Sequence, residues 1–542
     1  MNYLLNRTKN FIFAKQTSIF SSTLILAAMV IISRIFGFVR YRVLAGYFTK
    51  EELDIYFAAF RIPDLVFEIL ITGALTTAFI PFYIKYQKDK EAQSQNISSI
   101  INIITLALGG AIIVLTLCMP VIMELITPGF SQEKIHQITF YSQLILLGQL
   151  PFFIWGNFLT GISQARKLFI IPSIAPVLYN LCIIGATFAF APTLRLLAPV
   201  LGVILGAILF LVIQLPILFS ADFRYQFIIR PTKALNEFFS LILPRIMTVI
   251  VAQIDATIDL SLTTLLGAGS YTIFYLAQHL QLLPVSVIGI TFGQASLPYL
   301  TELYQKKNIN EFKKIIIDSV LNLFFFTIPF MAYFVFARTP IVRFFFGADK
   351  FDWEATVLTA FTLSFFALSL PLHSVYYFLT RCFYALFDSK TPFYIGLFSI
   401  LFNTVLSLIS VLVLHLPVWA LSISFSLSMS LNTILLFVLL YRRLQGLDVG
   451  NLIRETVKMG FAAAIASVFA YSEQKLLDGL ILDTTRTINV FLLLLFTGLT
   501  FVLIYLVLCW LFNVQQMYLI TKMALKIKEY QRKIFEIYSD FQ

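Results

Sequence analysis

Three arginines, Arg34, Arg40 and Arg42, lie in an otherwise apolar stretch that reads SRIFGFVRYRVLAGYF over residues 33–48. A fourth, Arg61, follows in the next apolar segment. An arginine that faces lipid at mid-bilayer costs about 2.5–3.5 kcal/mol. Inside a membrane, these side chains would therefore face a wet cavity, pair with carboxylates or lie near a surface. Because the guanidinium fork fits phosphate oxygens, the pattern predicts binding of a phosphate-bearing anion.

Carboxylates accompany the arginines in the second apolar segment. On one helix Asp54, Arg61, Glu68 and Thr72 fall within about 40° of one another, and Asp64 lies about 80° from Asp54. We predict that this polar stripe faces the inside of a helical bundle. Two interpretations stay open. The acids neutralise the arginines and hold helices together, or the arginines form an anion site for a substrate phosphate.

A second set of polar residues points to a cation. Asp255 and Asp259 are one helical turn apart, and Asp388 and Thr404 follow on later segments. Carboxylate and hydroxyl oxygens suit a small hard cation such as Na⁺, or a proton relay. Equally, Asp388 precedes Lys390 in a loop and would then cap a helix.

The elements that position these residues are membrane helices. The chain has 542 residues, of which 59% are hydrophobic and 12% charged, whereas soluble domains carry about 25% charged residues. We predict an all-α polytopic membrane protein with about fourteen spans. In that topology 25 of the 39 lysines and arginines fall in cytoplasmic loops and tails and 8 in external loops, which places both termini in the cytoplasm. The basic excess therefore orients the chain, and nucleic acid is not an expected partner.

An internal repeat organises the spans. Leu150-Pro151 matches Leu370-Pro371 and Pro172 matches Pro392, at a constant offset. We predict two parallel six-helix repeats that form an N-lobe and a C-lobe around a central cavity, which favours a transporter. The predicted segments are an interfacial segment (1–16), the N-lobe (17–222), the C-lobe (234–444), two extra helices (453–513) and an amphipathic cytoplasmic tail (514–542).

Several stretches resemble the MurJ (MviN) lipid II flippases of the multidrug/oligosaccharidyl-lipid/polysaccharide exporter superfamily. They are SRIFGFVR at 33–40, DIYFAAFRIPD at 54–64, GALTTAFIPFY at 73–83, TPGF at 127–130, IPSIAPVLYN at 171–180, GAGS at 267–270 and FYALFDSKTP at 383–392, with Asn403. The resemblance implies a lipid-tail groove at the last two helices. It also implies a substrate site at Ser33, Arg34, Gly37, Arg40, Asp54, Arg61, Glu68 and His279, and in some members an ion site at Asp259, Asp388 and Thr404.

The sequence departs from the family pattern at four of its positions. Tyr41 replaces a usual Asp, Glu68 an expected Arg, Thr72 a frequent Glu and His279 a usual Arg. Two of these departures remove an arginine from the expected substrate site, and the resemblance still implies the flippase class.

The resemblance leads us to expect a flippase and not an enzyme. It would move undecaprenyl-pyrophosphate-linked peptidoglycan precursor from the cytoplasmic to the outer leaflet by alternating access. The expected partners are that lipid-linked substrate and membrane lipids, the chain acting as a monomer in the bacterial cytoplasmic membrane. No cofactor is expected beyond coupling to Na⁺ or H⁺. The alternative is a cation-coupled drug or polysaccharide exporter of the same superfamily.

Overall fold

A computed structural model describes residues 19–68, 79–86, 89–166, 168–220, 225–230 and 233–522. The predicted interfacial segment (1–16), Thr72 and residues 523–542 of the predicted tail lie outside the described residues. The described part is helical apart from one isolated bridge between Ala348 and Phe351. The expected all-α class is confirmed.

Contacts divide the chain into two units. Unit 1 comprises Met1–Ile273 with Phe345–Ala355, and unit 2 comprises Phe274–Phe344 with Thr356–Gln542. The lobe boundaries that we derived from the repeat stay a prediction.

The helices of the first half of the chain are α1 (Ile19–Tyr47), α2 (Lys50–Ala59), α3 (Arg61–Glu68), α4 (Ile80–Lys85), α5 (Lys90–Ile126), α6 (Gln132–Ala165), α7 (Ile170–Leu194), α8 (Leu197–Val212), α9 (Pro216–Ser220) and α10 (Lys233–Leu265). Helix α7 packs against α1 and α8, and α6 packs against α2, α5 and α8. The predicted arginine site lies on α1 and α3. Helix α1 contacts α7, and α3 contacts α6 and α10, so both helices pack against this group.

The helices of the second half are α11 (Ser270–Pro284), α12 (Thr291–Gln305), α13 (Ile309–Phe336), α14 (Arg338–Phe346), α15 (Trp353–Ala385), α16 (Lys390–Leu408), α17 (Trp419–Arg443), α18 (Val449–Leu480) and α19 (Thr487–Leu511). A π-helical turn, Val285–Ile290, joins α11 to α12, and another, Ile409–Val413, extends α16. The core of unit 2 contains fully buried Phe378 and Leu436 together with Phe325, Phe501 and Tyr505.

Ten helices of the described part are long and apolar enough to cross a membrane. Three others, α1, α10 and α18, are 29, 33 and 32 residues long. Residues 69–78, between α3 and α4, lie outside the described part of the chain. The chain is a multi-pass membrane protein, and the exact count of fourteen stays a prediction.

The helix bounds carry the repeat that the sequence predicted. Helices α13, α15, α16 and α17 each begin about 220 residues after α5, α6, α7 and α8 respectively. Helices α6 and α15 have 34 and 33 residues and contain Pro151 and Pro371 at equivalent places. The proline removes one backbone hydrogen bond near the same point of each helix.

The second predicted span is not one straight helix. Helix α2 ends at Ala59 and α3 begins at Arg61, with Phe60 as a turn between them. Pro63 explains the interruption, because it has no N–H to donate to the carbonyl of Ala59 and its ring crowds that carbonyl. The single helical stripe from Asp54 to Glu68 that we predicted is wrong in this respect.

Candidate anion-binding site

Arg61 lies at the start of α3 and is fixed by α10. Its Nε donates a hydrogen bond to the Thr257 hydroxyl at 3.0 Å, and its Nη2 donates to the Gln253 carbonyl oxygen at 2.7 Å and also to the Gln253 side-chain Oε1. These residues are four apart on one helix, so both face the same side. Three contacts hold the guanidinium in one orientation.

All three acceptors on Arg61 are uncharged. Within the described residues no carboxylate lies within ion-pair distance of the Arg61 guanidinium, although Asp64 and Asp259 interact with it electrostatically at longer range. A neutral acceptor orients a guanidinium without cancelling its charge, whereas a bidentate carboxylate does both. Arg61 therefore keeps a charge that an anion can use.

Arg40 lies on α1 and shares an electrostatic partner with Arg61. Both arginines interact with Asp64, so two residues of the predicted substrate site share a carboxylate of the predicted polar stripe. The Arg40 guanidinium lies over the ring of Tyr41, 4.7 Å from its centroid. Tyr41 is buried and packs edge-on against Phe57 at 5.9 Å. The aromatic ring that stands where the family usually has Asp thus forms a cation–π contact.

Of the remaining predicted residues of α1, Ser33 and Gly37 are half-buried and Arg34 is exposed. Arg34 forms no ion pair with the described residues. The Ser33 carbonyl accepts a hydrogen bond from the Asn180 amide at 3.5 Å. Helix α1 is continuous through Gly37, and a methyl group built on Gly37 would meet no described atom within 4 Å.

Asp54 is fully buried, and its carboxylate is hydrogen-bonded to other residues of the protein. Its carboxylate accepts hydrogen bonds from the N–H of Gly269 at 2.5 Å, the N–H of Thr272 at 2.8 Å and the Thr272 hydroxyl at 2.9 Å. These donors belong to the first turn of α11 and the residue before it, where a negative group is favourable. Asp54 therefore joins α2 to the start of α11. The assignment of Asp54 to direct substrate contact has no support from this geometry.

The other predicted substrate residues are placed as follows. Glu68 ends α3, is half-buried and interacts electrostatically with Asp64. His279 belongs to unit 2, where its Nδ1 lies 2.8 Å from the carbonyl oxygen of Tyr275 in its own helix. These interactions place Glu68 near Asp64 and give His279 a hydrogen bond within α11.

The predicted cation ligands are not brought together as a set. Asp388 accepts hydrogen bonds from the N–H groups of Lys390 and Thr391 and forms an ion pair with Arg443. This is the helix-capping alternative of the sequence. The Thr404 hydroxyl donates to the carbonyl of Ile400. Fourteen residues of α16 separate Lys390 from Thr404, which is about 21 Å along a helix.

Asp388 and Thr404 are thus too far apart to contact one ion, and this pairing was wrong. Asp259 lies in unit 1 with 3% of its surface exposed and interacts with Asp255. No group of three His, Cys, Asp or Glu side chains in the described ranges is arranged to hold a metal. A cation site built on Asp259 stays untested.

Sequence reasoning missed Gln253, Thr257 and Thr272. Each is an uncharged residue of an apolar segment, and each meets its partner across 192 to 218 residues of sequence. The only available signal was the spacing of four between Gln253 and Thr257, followed by Ser261 on the same face. That pattern is too common in membrane helices to have singled them out.

The chain was compared with family models and curated proteins. Residues 44–525 match the model described as lipid II flippase MurJ. A probable lipid II flippase MurJ of Rickettsia prowazekii is 27% identical over 397 residues, which cover 72% of this chain and 78% of that protein. The lipid II flippase MurJ of Burkholderia cenocepacia is 24% identical over 438 residues, covering 79% and 84% of the two chains.

Solved structures give the same fold. A lipid II flippase MurJ in an inward closed conformation superimposes with a TM-score of 0.74 at 23% identity, covering 90% of this chain and 98% of that one. An inward-facing multidrug resistance MATE transporter superimposes with a TM-score of 0.67 at 14% identity, covering 78% and 98%. At these identities the superpositions establish the fold alone.

Proposed function

Because the chain belongs to the lipid II flippase MurJ family, we propose that it moves lipid II from the cytoplasmic to the outer leaflet of the bacterial cytoplasmic membrane. The observation that carries this proposal is the family match, which runs from residue 44 to residue 525. A match of that extent runs from the end of α1 to beyond the last described helix, α19. The similarity to curated lipid II flippases favours this function over drug or polysaccharide export.

The proposed work of the chain is binding and conformational change, with no covalent step. Arg34, Arg40 and Arg61 would bind the diphosphate of the substrate, because guanidinium groups make charge-assisted hydrogen bonds to phosphate oxygens. The polyprenyl tail would stay in lipid while the headgroup crosses by alternating access. The support for the arginine assignment is that Arg61 is oriented by uncharged acceptors and that Asp64 links Arg61 electrostatically to Arg40.

The positive charge of the proposed site supplies a driving force for the return of the empty carrier. An empty carrier with exposed guanidinium groups is drawn towards a negative cytoplasm, by about 2.3 kcal/mol per charge per 100 mV. This return step would favour re-exposure of the site on the side where lipid II is made. We propose that a Na⁺ or H⁺ gradient adds to this force. The excess of basic residues in alternate loops supports cytoplasmic termini, and the chain is proposed to act as a monomer.

Complementation tests this function. A bacterial strain depleted of its own lipid II flippase should grow and keep its shape when it expresses this chain. Arg40→Gln and Arg61→Gln should abolish rescue at unchanged membrane abundance, whereas Arg486→Gln, on an exposed external residue, should rescue fully. Failure of the abundant wild-type chain to rescue growth, or rescue by both arginine variants, would refute the proposal.

A further inference from the structure

The hydrogen bonds of Arg61 leave the Nη1 nitrogen of its guanidinium uncommitted among the described residues. A guanidinium has five N–H donors. The Nε donor contacts the Thr257 hydroxyl, and the Nη2 donors contact the backbone and side-chain oxygens of Gln253. Among the described residues, the two donors of Nη1 contact no acceptor. The contacts with α10 therefore use Nε and Nη2 and leave the two donors of Nη1 for a ligand.

The Thr257 hydroxyl links Arg61 to the Gln253 carbonyl oxygen by two consecutive hydrogen bonds. It accepts from the Nε of Arg61 at 3.0 Å and donates to the Gln253 carbonyl oxygen at 2.9 Å, the same oxygen that accepts from Nη2 at 2.7 Å. Linked hydrogen bonds polarise one another in a medium of low dielectric constant. Removal of the one hydroxyl thus loosens the guanidinium at two points.

We propose that Gln253 and Thr257 are positioning residues that hold the Arg61 guanidinium ready for the diphosphate of the substrate. This inference rests on the proposed function. A flexible arginine side chain loses conformational entropy when it binds a ligand, and prior orientation reduces that loss. Uncharged acceptors achieve this orientation without competing for the positive charge, which an acidic residue at position 253 or 257 would do.

If Gln253 and Thr257 position Arg61, their replacement should change the affinity for substrate more than the maximal rate of translocation. Loss of the Thr257 hydroxyl should raise the substrate concentration at half-maximal rate about tenfold, as expected for one charge-assisted hydrogen bond. The maximal rate should change less than twofold, because the charge that binds the diphosphate is retained. Replacement of the Gln253 amide by a carboxylate should weaken binding further, because the new acceptor neutralises Arg61.

The experiment measures translocation of lipid II in vesicles that contain the purified full-length chain, over a range of lipid II mole fractions. The variants are Thr257→Val, Thr257→Ser and Gln253→Glu. The matched control is Thr263→Val, which makes the same change six residues further along α10. The Thr263 hydroxyl is buried and, within the described part of the chain, donates to carbonyl oxygens of its own helix, those of Asp259 and Leu260.

The inference predicts that Thr257→Val and Gln253→Glu raise the half-saturating mole fraction while Thr257→Ser and Thr263→Val leave it near the wild-type value. Equal half-saturation for Thr257→Val and Thr263→Val, with equal thermal midpoints, would refute the positioning role and leave the flippase function intact. Absence of translocation by the wild-type chain would refute the function and, with it, this inference.

Discussion

The Asp54 carboxylate receives both the N–H and the hydroxyl of Thr272, at 2.8 and 2.9 Å, in a fully buried position. The same hydroxyl lies 2.8 Å from the carbonyl oxygen of Lys50. One threonine therefore connects α11 to the first and second turns of α2. Asp54 belongs to the stretch at 54–64 that resembles the flippase family. Its hydrogen bonds, however, connect two helices, α2 and α11.

Asp54→Asn should destabilise the protein without changing its affinity for substrate. One carboxylate oxygen accepts from Thr272 and the other from Gly269, so an amide would turn an N–H donor towards one of these donors. A hydrogen bond to a charged group contributes about 1.5–3 kcal/mol. The thermal midpoint should fall for Asp54→Asn and, by less, for Thr272→Val. A raised half-saturating lipid II fraction at an unchanged midpoint would instead identify Asp54 as a substrate ligand.

Glu455→Ala should loosen the connection between α18 and the segment that follows α19. Glu455 is fully buried, lies 2.8 Å from the Lys458 ammonium and accepts from the N–H of Gln515 at 3.0 Å. Breaking a buried ion pair costs about 3–5 kcal/mol. We expect about 2 kcal/mol here, because Lys458 stays partly exposed and is screened by solvent. The thermal midpoint of the detergent-solubilised protein measures the loss.

The control for Glu455 is an ion pair at the surface. Glu302 lies 2.5 Å from Lys306 one helical turn away, and both side chains are largely exposed. Glu302→Gln should leave the midpoint unchanged, because exposed pairs contribute little. Equal midpoints for Glu455→Ala and Glu302→Gln would contradict a stabilising role for Glu455.

Much of the architecture follows from the sequence alone. Apolar length and loop residues predict the spans, and Asp89, Ser131 and Asp448 cap the helices that begin where those runs begin. Tertiary partners are a different matter. A helical wheel placed Asp54 and Arg61 on one polar stripe. It could not show that Asp54 accepts hydrogen bonds from Thr272 or that Arg61 donates hydrogen bonds to Gln253. Those pairings depend on how distant helices pack.

The predicted ion site shows the same limit. Asp388 before Lys390 fits both a cation ligand and a helix cap, and the sequence left both open. The ion pair with Arg443, 55 residues away, and the hydrogen bonds from Lys390 and Thr391 favour the cap. The distance along α16 then excludes Thr404 as a co-ligand.

The Asp388 carboxyl should make stability depend on pH in the acid range. Burial alone would raise its pKa, but hydrogen bonds from Thr391 and Arg443 bring the pKa below the ordinary value of 3.8. A carboxyl with a lowered pKa stabilises the fold above its ordinary pKa and loses that contribution as the pH falls below it.

Asp388→Asn retains a capping oxygen and removes the charge. Wild type should therefore have the higher thermal midpoint at pH 7, and the difference should shrink towards pH 3. A difference that is the same at both pH values would contradict the ion pair with Arg443.

Gly129→Ala should disturb the contact between the turn after α5 and the end of α10. A methyl group on Gly129 would lie 2.1 Å from the carbonyl oxygen of Thr264, whose hydroxyl accepts from the Gly129 N–H at 3.1 Å. Overpacking of this kind costs about 1–3 kcal/mol. Gly110→Ala, within α5 and with no described atom within 4 Å, should be neutral or stabilising. Equal midpoints for the two variants would show that the turn does not approach α10 this closely.

The most direct test of the account is the initial rate of lipid II translocation in vesicles whose only protein is this chain. The account predicts a rate that saturates with lipid II, exceeds that of protein-free vesicles and is lost in Arg61→Gln while the folded fraction is unchanged. A wild-type rate equal to that of protein-free vesicles, or an Arg61→Gln rate equal to wild type, would contradict it.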